Sequence, residues 1–337
     1  MREQEFVKIP IDEEIDINLL FGNLDCNLDR IKEATGVDVF QREGYLLIKG
    51  ENAEGAKEIL QEFVSILKKG QSLEEHKAEY IISLKQDGIS YEKENVDSDI
   101  ICFTTRGKPI KAKTLGQKKY INSMREKDVV FSIGPAGTGK TYLAVAMAIT
   151  AYRNKEVQKI ILARPAVEAG ENLGFLPGDL QEKVDPYLRP LYDGLFDILG
   201  KEAATRLKEK DIIEVVPLAY MRGRTLDNSY IILDEAQNTT SAQIKMFLTR
   251  MGWNTKMMVT GDPTQIDLPP SQRSGLIEAS RILRGVKGIA FIDMQQEDIV
   301  RHKLVSRIVA AYDKEAATRK TKSSEKEAPT LSEVKEA

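Results

Sequence analysis

The run Gly134-Pro135-Ala136-Gly137-Thr138-Gly139-Lys140-Thr141 follows directly on the apolar stretch Val130-Phe131-Ser132-Ile133 and has the spacing G-x-x-x-x-G-K-T. Glycines so placed let the backbone curl until its N–H groups and the start of the next helix face a phosphate chain. Lys140 adds a mobile positive charge, and the Thr141 hydroxyl suits Mg2+. A tight turn explains two of the glycines, but not a Lys-Thr pair at this place. Further on, the apolar run Tyr230-Ile231-Ile232-Leu233 ends in Asp234 and Glu235. Acids at a strand end also cap helices. With a phosphate loop upstream, Asp234 is expected to share the Mg2+ with Thr141, and Glu235 to act as base or to orient water. Gly261-Asp262-Pro263-Thr264-Gln265 closes a third apolar run. It reads either as a Pro-containing turn or as the place from which Gln265 holds the attacking water or senses the γ-phosphate. ATP and Mg2+ are the expected cofactors.

The elements that must carry these residues alternate strand and helix. Strands are expected at 129–133, 160–162, 212–216, 230–233, 256–260 and 289–292, with helices from Lys140, from Ser241 and near Leu276. Apolar runs without alternation imply strands buried on both faces. The expected fold class is α/β: a parallel sheet flanked by helices, of the RecA-like phosphate-loop kind. Met246, Phe247, Met251 and Trp253, at helical or turn spacing, read as core.

Residues 1–70 change period from helix to strand and back in the order β-α-α-β-β-α, a small α+β domain. Residues 71–99 read as a charged connector, 100–312 as the phosphate-loop domain opening on a hairpin that turns at Arg106-Gly107-Lys108-Pro109, and 313–337 as a disordered tail rich in Lys, Glu, Ser and Thr. The formal net charge of −3 conceals a division: residues 1–100 hold 12 Lys and Arg against 23 Asp and Glu, a net of −11, leaving +8 for the rest. A polyanion would choose the middle of the chain. There, Arg106 to Lys119 holds six basic residues and no acid, either a solvated face or a strip turned toward nucleic acid.

Two cysteines, Cys26 and Cys102, are too few for a disulfide framework, and His76 and His302 lack metal-ligand spacing. The charged N-terminus has no signal-like apolar core, and the longest nearly apolar stretch, Tyr142 to Tyr152, is 11 residues, well short of the roughly 20 needed to cross a bilayer. A cytoplasmic protein with no membrane contact is expected.

The N-terminal order, with Thr35-Gly36-Val37-x-Val39 and Leu47-Ile48-x-Gly50, resembles a KH domain, a module that clamps single-stranded RNA through a G-x-x-G loop. The corresponding stretch is Gly22-Asn23-Leu24-Asp25, where an aspartate replaces the second glycine. With that substitution and a net charge of −11, a docking or scaffold domain that keeps the fold is expected ahead of RNA binding by the usual KH route. Across residues 1–315 the chain resembles the PhoH family of bacterial ATPases. The likeness rests on Gly116-Gln117, Tyr120, the phosphate loop, Ala163-Arg164-Pro165, Gly174-Phe175-Leu176-Pro177-Gly178 and Met221-Arg222-Gly223-Arg224-Thr225. It continues through Asp234-Glu235-Ala236-Gln237-Asn238, Gly261 to Gln265, Ser274-Gly275-Leu276 and Val300-Arg301-His302. These blocks are also similar to the first motor domain of superfamily 1 helicases, which implies an adenine-reading role for Gln117. Only a short helix and tail are expected after Ile292, so one chain is not expected to be a complete motor of that class. The resemblance implies a homo-oligomer, a hexameric ring, in which a neighbour supplies an arginine finger. Arg301 is the first choice, with Arg222, Arg224 and Arg273 as alternatives. It implies work on single-stranded RNA or with an RNA-processing protein partner. The competing expectation is an ATP-dependent oligomeric switch or scaffold that recruits a protein partner with little RNA-stimulated turnover. Phosphorylation of a small molecule would need a lid, for which Glu171 to Gly178 is the available stretch.

Overall fold

The computed structural model describes residues 6–12, 15–70, 72–86, 100–165 and 180–300, with Leu304, Val305 and Ile308 beyond them. Contacts divide the chain after Ile299, and the fold below is that of the part before it. The Gly174–Gly178 block, the Glu171–Gly178 lid, Arg301, His302 and the tail 313–337 lie outside the described residues.

The N-terminal layer runs β1 (Val7–Pro10), α1 (Ile17–Phe21), α2 (Cys26–Thr35), β2 (Asp38–Arg42), β3 (Tyr45–Lys49) and α3 (Ala53–Lys68), in the expected order. Its antiparallel sheet has the order β1-β3-β2, with Ile9 opposite Leu46 and Val39 opposite Ile48. The two-residue turn at Glu43-Gly44, both at positive φ, sets that register. Ile9, Leu46 and Ile48 are buried in one cluster with Ile31 of α2 and Ile59, Leu60 and Phe63 of α3.

The stretch expected to be a charged connector instead contains a helix, α4 (Glu75–Gln86). Its charges mask an apolar side: Ala78, Ile81, Ile82 and Leu84 are buried, and the Tyr80 hydroxyl accepts the Leu115 N–H. The hairpin β4 (Ile100–Phe103) and β5 (Pro109–Lys111) follows, then α5 (Leu115–Glu126).

The central layer is β6 (Val129–Ile133), α6 (Lys140–Arg153), β7 (Lys159–Arg164), α7 (Leu180–Leu199), α8 (Lys201–Glu209), β8 (Ile213–Pro217), β9 (Ser229–Leu233), α9 (Ser241–Leu248), β10 (Lys256–Gly261), α10 (Gly275–Leu283) and β11 (Ile289–Asp293). The six strands pair in parallel in the order β11-β6-β10-β9-β7-β8, so the six expected strands all form. Val130, Ile160, Ile232 and Met258 pack into one cluster, while Phe131, Ile161, Ile231 and Val259 pack into another on the opposite face. Burial on both faces is why these strands carry no alternation. Phe131 also stacks on Phe291 at 4.5 Å between ring centroids.

Trp253 is a correction. Phe247 is fully buried, but Trp253 is 88% exposed in the turn before β10, where its backbone N–H donates to Asp227 Oδ1 at 2.6 Å. Its position is held by the backbone, and the ring is left in solvent. No helix among the described residues is long and apolar enough to cross a membrane.

Candidate nucleotide-binding site

The phosphate loop leaves the carboxyl end of β6 and curls through Gly134 (φ 151°), Gly137 (φ 88°) and Gly139 (φ 81°) into α6. Gly134 is required twice over, because a Cβ there would also lie 2.3 Å from the Met294 carbonyl oxygen. Lys140 is buried, and its Nζ donates to the carbonyl oxygens of Gly134 (2.7 Å) and Pro135 (2.8 Å) and to Thr138 Oγ1 (3.3 Å). The ammonium thus holds the loop closed around the position that a phosphate would take.

Beside it, the Thr141 hydroxyl donates to Asp234 Oδ1 at 2.6 Å, and Thr260 Oγ1 donates to the same oxygen at 2.8 Å. Strand register explains the meeting: β10 lies between β6 and β9, which brings Thr260 beside both the loop and the end of β9. Glu235 follows in the left-handed region (φ 52°). Arg164 Nη2 reaches Glu235 Oε1 at 3.0 Å, and Gln237 Nε2 donates to Oε2 at 2.5 Å. Asp262 latches the loop from β10: Oδ2 accepts the Ala136 N–H at 2.9 Å and Gln265 Nε2 at 2.8 Å, while Oδ1 accepts the N–H and hydroxyl of Thr264. Gln237 ties the two acids together, because its Oε1 accepts the Asp262 N–H at 3.0 Å.

Lys140, Thr141, Asp234, Glu235 and Gln265 therefore line one cleft of about 250 Å³ with Ala136, Gly137, Gly139 and Asp262. Gln117 stands behind it. It is 4% exposed, its Nε2 donates to the Thr138 carbonyl at 3.1 Å, and its Oε1 accepts the Lys113 N–H at 2.8 Å. Its amide is spent on bracing the loop, and adenine reading would require those bonds to exchange. Arg224 is bound to Glu214 through both Nη atoms, at 2.6 and 2.7 Å, so it is not a free finger. Arg222 and Arg273 are exposed.

Local spacing assigns no site role to Thr260, puts Asp262 at the same edge as Gln265 without giving it a task, and leaves the role of Arg164 open. Their polar type at the ends of apolar strands is the one signal that could find them. For Mg2+, the donor set fits. A hard hydroxyl and a hard carboxylate oxygen adjoin the phosphate loop, and the described residues contain no cluster of three or more His, Cys, Asp or Glu that would cage a metal alone. Mg2+ held with substrate phosphates and water needs few protein ligands.

Residues 109–313 match the family described as PhoH-like protein. The chain is 50% identical over 299 residues to a PhoH-like protein of Bacillus subtilis, covering 88% of this chain and 93% of that one. It is 44% identical over 317 residues to a PhoH-like protein of Synechocystis, covering 94% and 97%. Among solved structures, a Sulfolobus solfataricus SWI2/SNF2 ATPase core in complex with dsDNA overlaps 55% of this chain and 44% of its own, at 17% identity and a TM-score of 0.34. On its phosphate-loop core and on the family and sequence matches, the chain belongs to the PhoH-like protein family.

Proposed function

We propose that this protein is a Mg2+-dependent ATPase whose turnover is coupled to single-stranded RNA. The observation that carries the hydrolytic half is the convergence of Thr141 on Asp234 at 2.6 Å, with Glu235 held beside it by Arg164 and Gln237. Thr141 and Asp234 would hold the metal, whose charge stabilises the transferring phosphoryl group. Lys140 would exchange loop carbonyls for phosphate oxygens, and Glu235 would take or orient the proton of the attacking water. Gln265, adjoining Glu235 through Gln237, would fix that water's position.

The coupling half is supported by exposed Arg106 and Lys108 at the tip of the β4–β5 hairpin. A neighbouring copy would complete the site with an arginine, drawn from Arg301, Arg222 or Arg273, in a ring.

The test is steady-state ATPase of the full chain with Mg2+, with and without single-stranded RNA, beside Glu235→Gln. Stimulation by RNA that disappears in Glu235→Gln is the expected result. Turnover that ignores RNA would instead favour an ATP-dependent switch or scaffold.

A further inference from the structure

The three-stranded sheet of the N-terminal layer has one buried face and one open face. Alternation sends Ile9, Leu46 and Ile48 inward, so their neighbours point out. Across one outward row stand Lys8, Leu47 and Phe40, and across the next Pro10, Tyr45 and Arg42. Lys49 and Asp38 pair in a third row, which Phe6 extends beyond the start of β1. Phe6, Phe40 and Tyr45 keep 43%, 50% and 45% of their surface exposed, although aromatic side chains usually bury.

The charges on this face are mostly basic. Lys8, Arg42 and Lys49 are basic. Its one acid, Asp38 in the third row, is held by Lys32 at 2.6 Å, and Glu43 in the turn lies 3.4 Å from Arg42. Among the described residues neither Lys8 nor Lys49 forms an ion pair. The −11 of residues 1–100 is a sum along the sequence, from which this face departs.

We infer that this open face binds single-stranded RNA, with bases stacking on Phe6, Phe40 and Tyr45 and phosphates meeting Lys8, Arg42 and Lys49. The inference rests on the RNA reading above and names where the strand is held. Aromatic rings interleaved with exposed cations on an open sheet suit stacked bases and their backbone, because every base offers a π-face. The diagonal from Phe40 to Tyr45, about 7–8 Å, is a step one extended nucleotide spans. An apolar protein partner would call for contiguous aliphatic side chains, whereas here each of the three rows sets a cation beside its aromatic ring. The helix-to-helix loop is the poorer route, since Asp25 puts a carboxylate at its tip.

The test is fluorescence anisotropy of a labelled twelve-residue oligouridylate with the full chain, run beside RNA-stimulated ATPase. Phe40→Ala and Tyr45→Ala are each expected to weaken binding by about 10-fold. Phe40→Tyr should retain it, and basal ATPase without RNA should be unchanged. Lys8→Ala with Lys49→Ala should flatten the slope of log affinity against log salt by about 0.7 for each phosphate no longer neutralised, and this surface pair carries the test if either aromatic variant unfolds. Wild-type affinity in these variants with stimulation intact would overturn the inference and leave the RNA reading standing. Absence of both binding and stimulation in the wild type would overturn both. Variants that lose concentration-dependent self-association, with RNA binding unaltered, would make the face an interface between copies and would also overturn it.

Discussion

At the carboxyl edge of the six-stranded sheet, polar side chains are buried and bonded to one another. On the open face of the three-stranded sheet, aromatic and basic side chains stand in solvent with few partners. Asp262 alone accepts four hydrogen bonds, while Lys8 and Lys49 make no ion pair among the described residues. The contrast suits the two tasks proposed above. Charge that develops during phosphoryl transfer is stabilised best by dipoles already fixed in place. A strand of varied sequence is held better by side chains that remain free to adjust, and each of those can be changed with little effect on the fold.

The contrast predicts that substitutions at the edge act on catalysis and stability together, and that those on the face act on binding alone. Lys140→Ala should produce the largest effect. It removes the charge that closes the loop, and ATP turnover should fall by about 10²-fold or more, read as phosphate release at saturating Mg2+. Asp262→Asn comes next. An amide cannot accept on both sides, so either the Ala136 N–H or the Thr264 donors lose a partner. The cost should be about 1.5–3 kcal/mol, seen as a lower thermal midpoint and a raised KM for ATP. Unchanged KM in Asp262→Asn would show that the latch does not set the loop. On the open face, Asp38→Lys should tighten RNA binding by about 2- to 5-fold at low salt, with the gain fading as salt rises. The exposed pair with Lys32 that it breaks is of the kind worth little to stability.

The two regions also differ in legibility. The phosphate loop is eight consecutive residues whose spacing is itself the geometry, so its position at the end of β6 and the start of α6 is readable from sequence. Asp234 and Glu235 are readable because an apolar run ends in them. Thr260 is not, since its role depends on β10 lying between β6 and β9, and strand order is not written in local sequence. Nor is the open face. Its residues come from three strands at every second position, and a net charge of −11 summed over residues 1–100 hides a basic surface that only folding segregates. The helix α4 is obscured for a related reason: the charges of residues 71–99 draw the eye while Ala78, Ile81 and Ile82 decide its packing. Trp253 fails in the opposite direction, because a large ring at turn spacing reads as core although only its backbone is tied.

The smallest effect tests which part of the N-terminal layer meets RNA. Leu24 and Asp25, in the loop that would serve the KH-type route, both sit in the left-handed region, at φ 53° and 58°. That conformation costs an L-residue about 1–2 kcal/mol, and glycine adopts it freely. Leu24 is 91% exposed, so Leu24→Gly gives up almost no packing. Against the relieved strain stands the extra freedom of glycine in the unfolded chain, about 0.5–1 kcal/mol. The balance favours the variant by about 0.5 kcal/mol, a rise of about 1–2 °C in thermal midpoint. If RNA is held by the sheet face, oligouridylate affinity in Leu24→Gly should match the wild type. Affinity that changes with this loop while Phe40→Ala stays silent would move the RNA site from the strands to the helices.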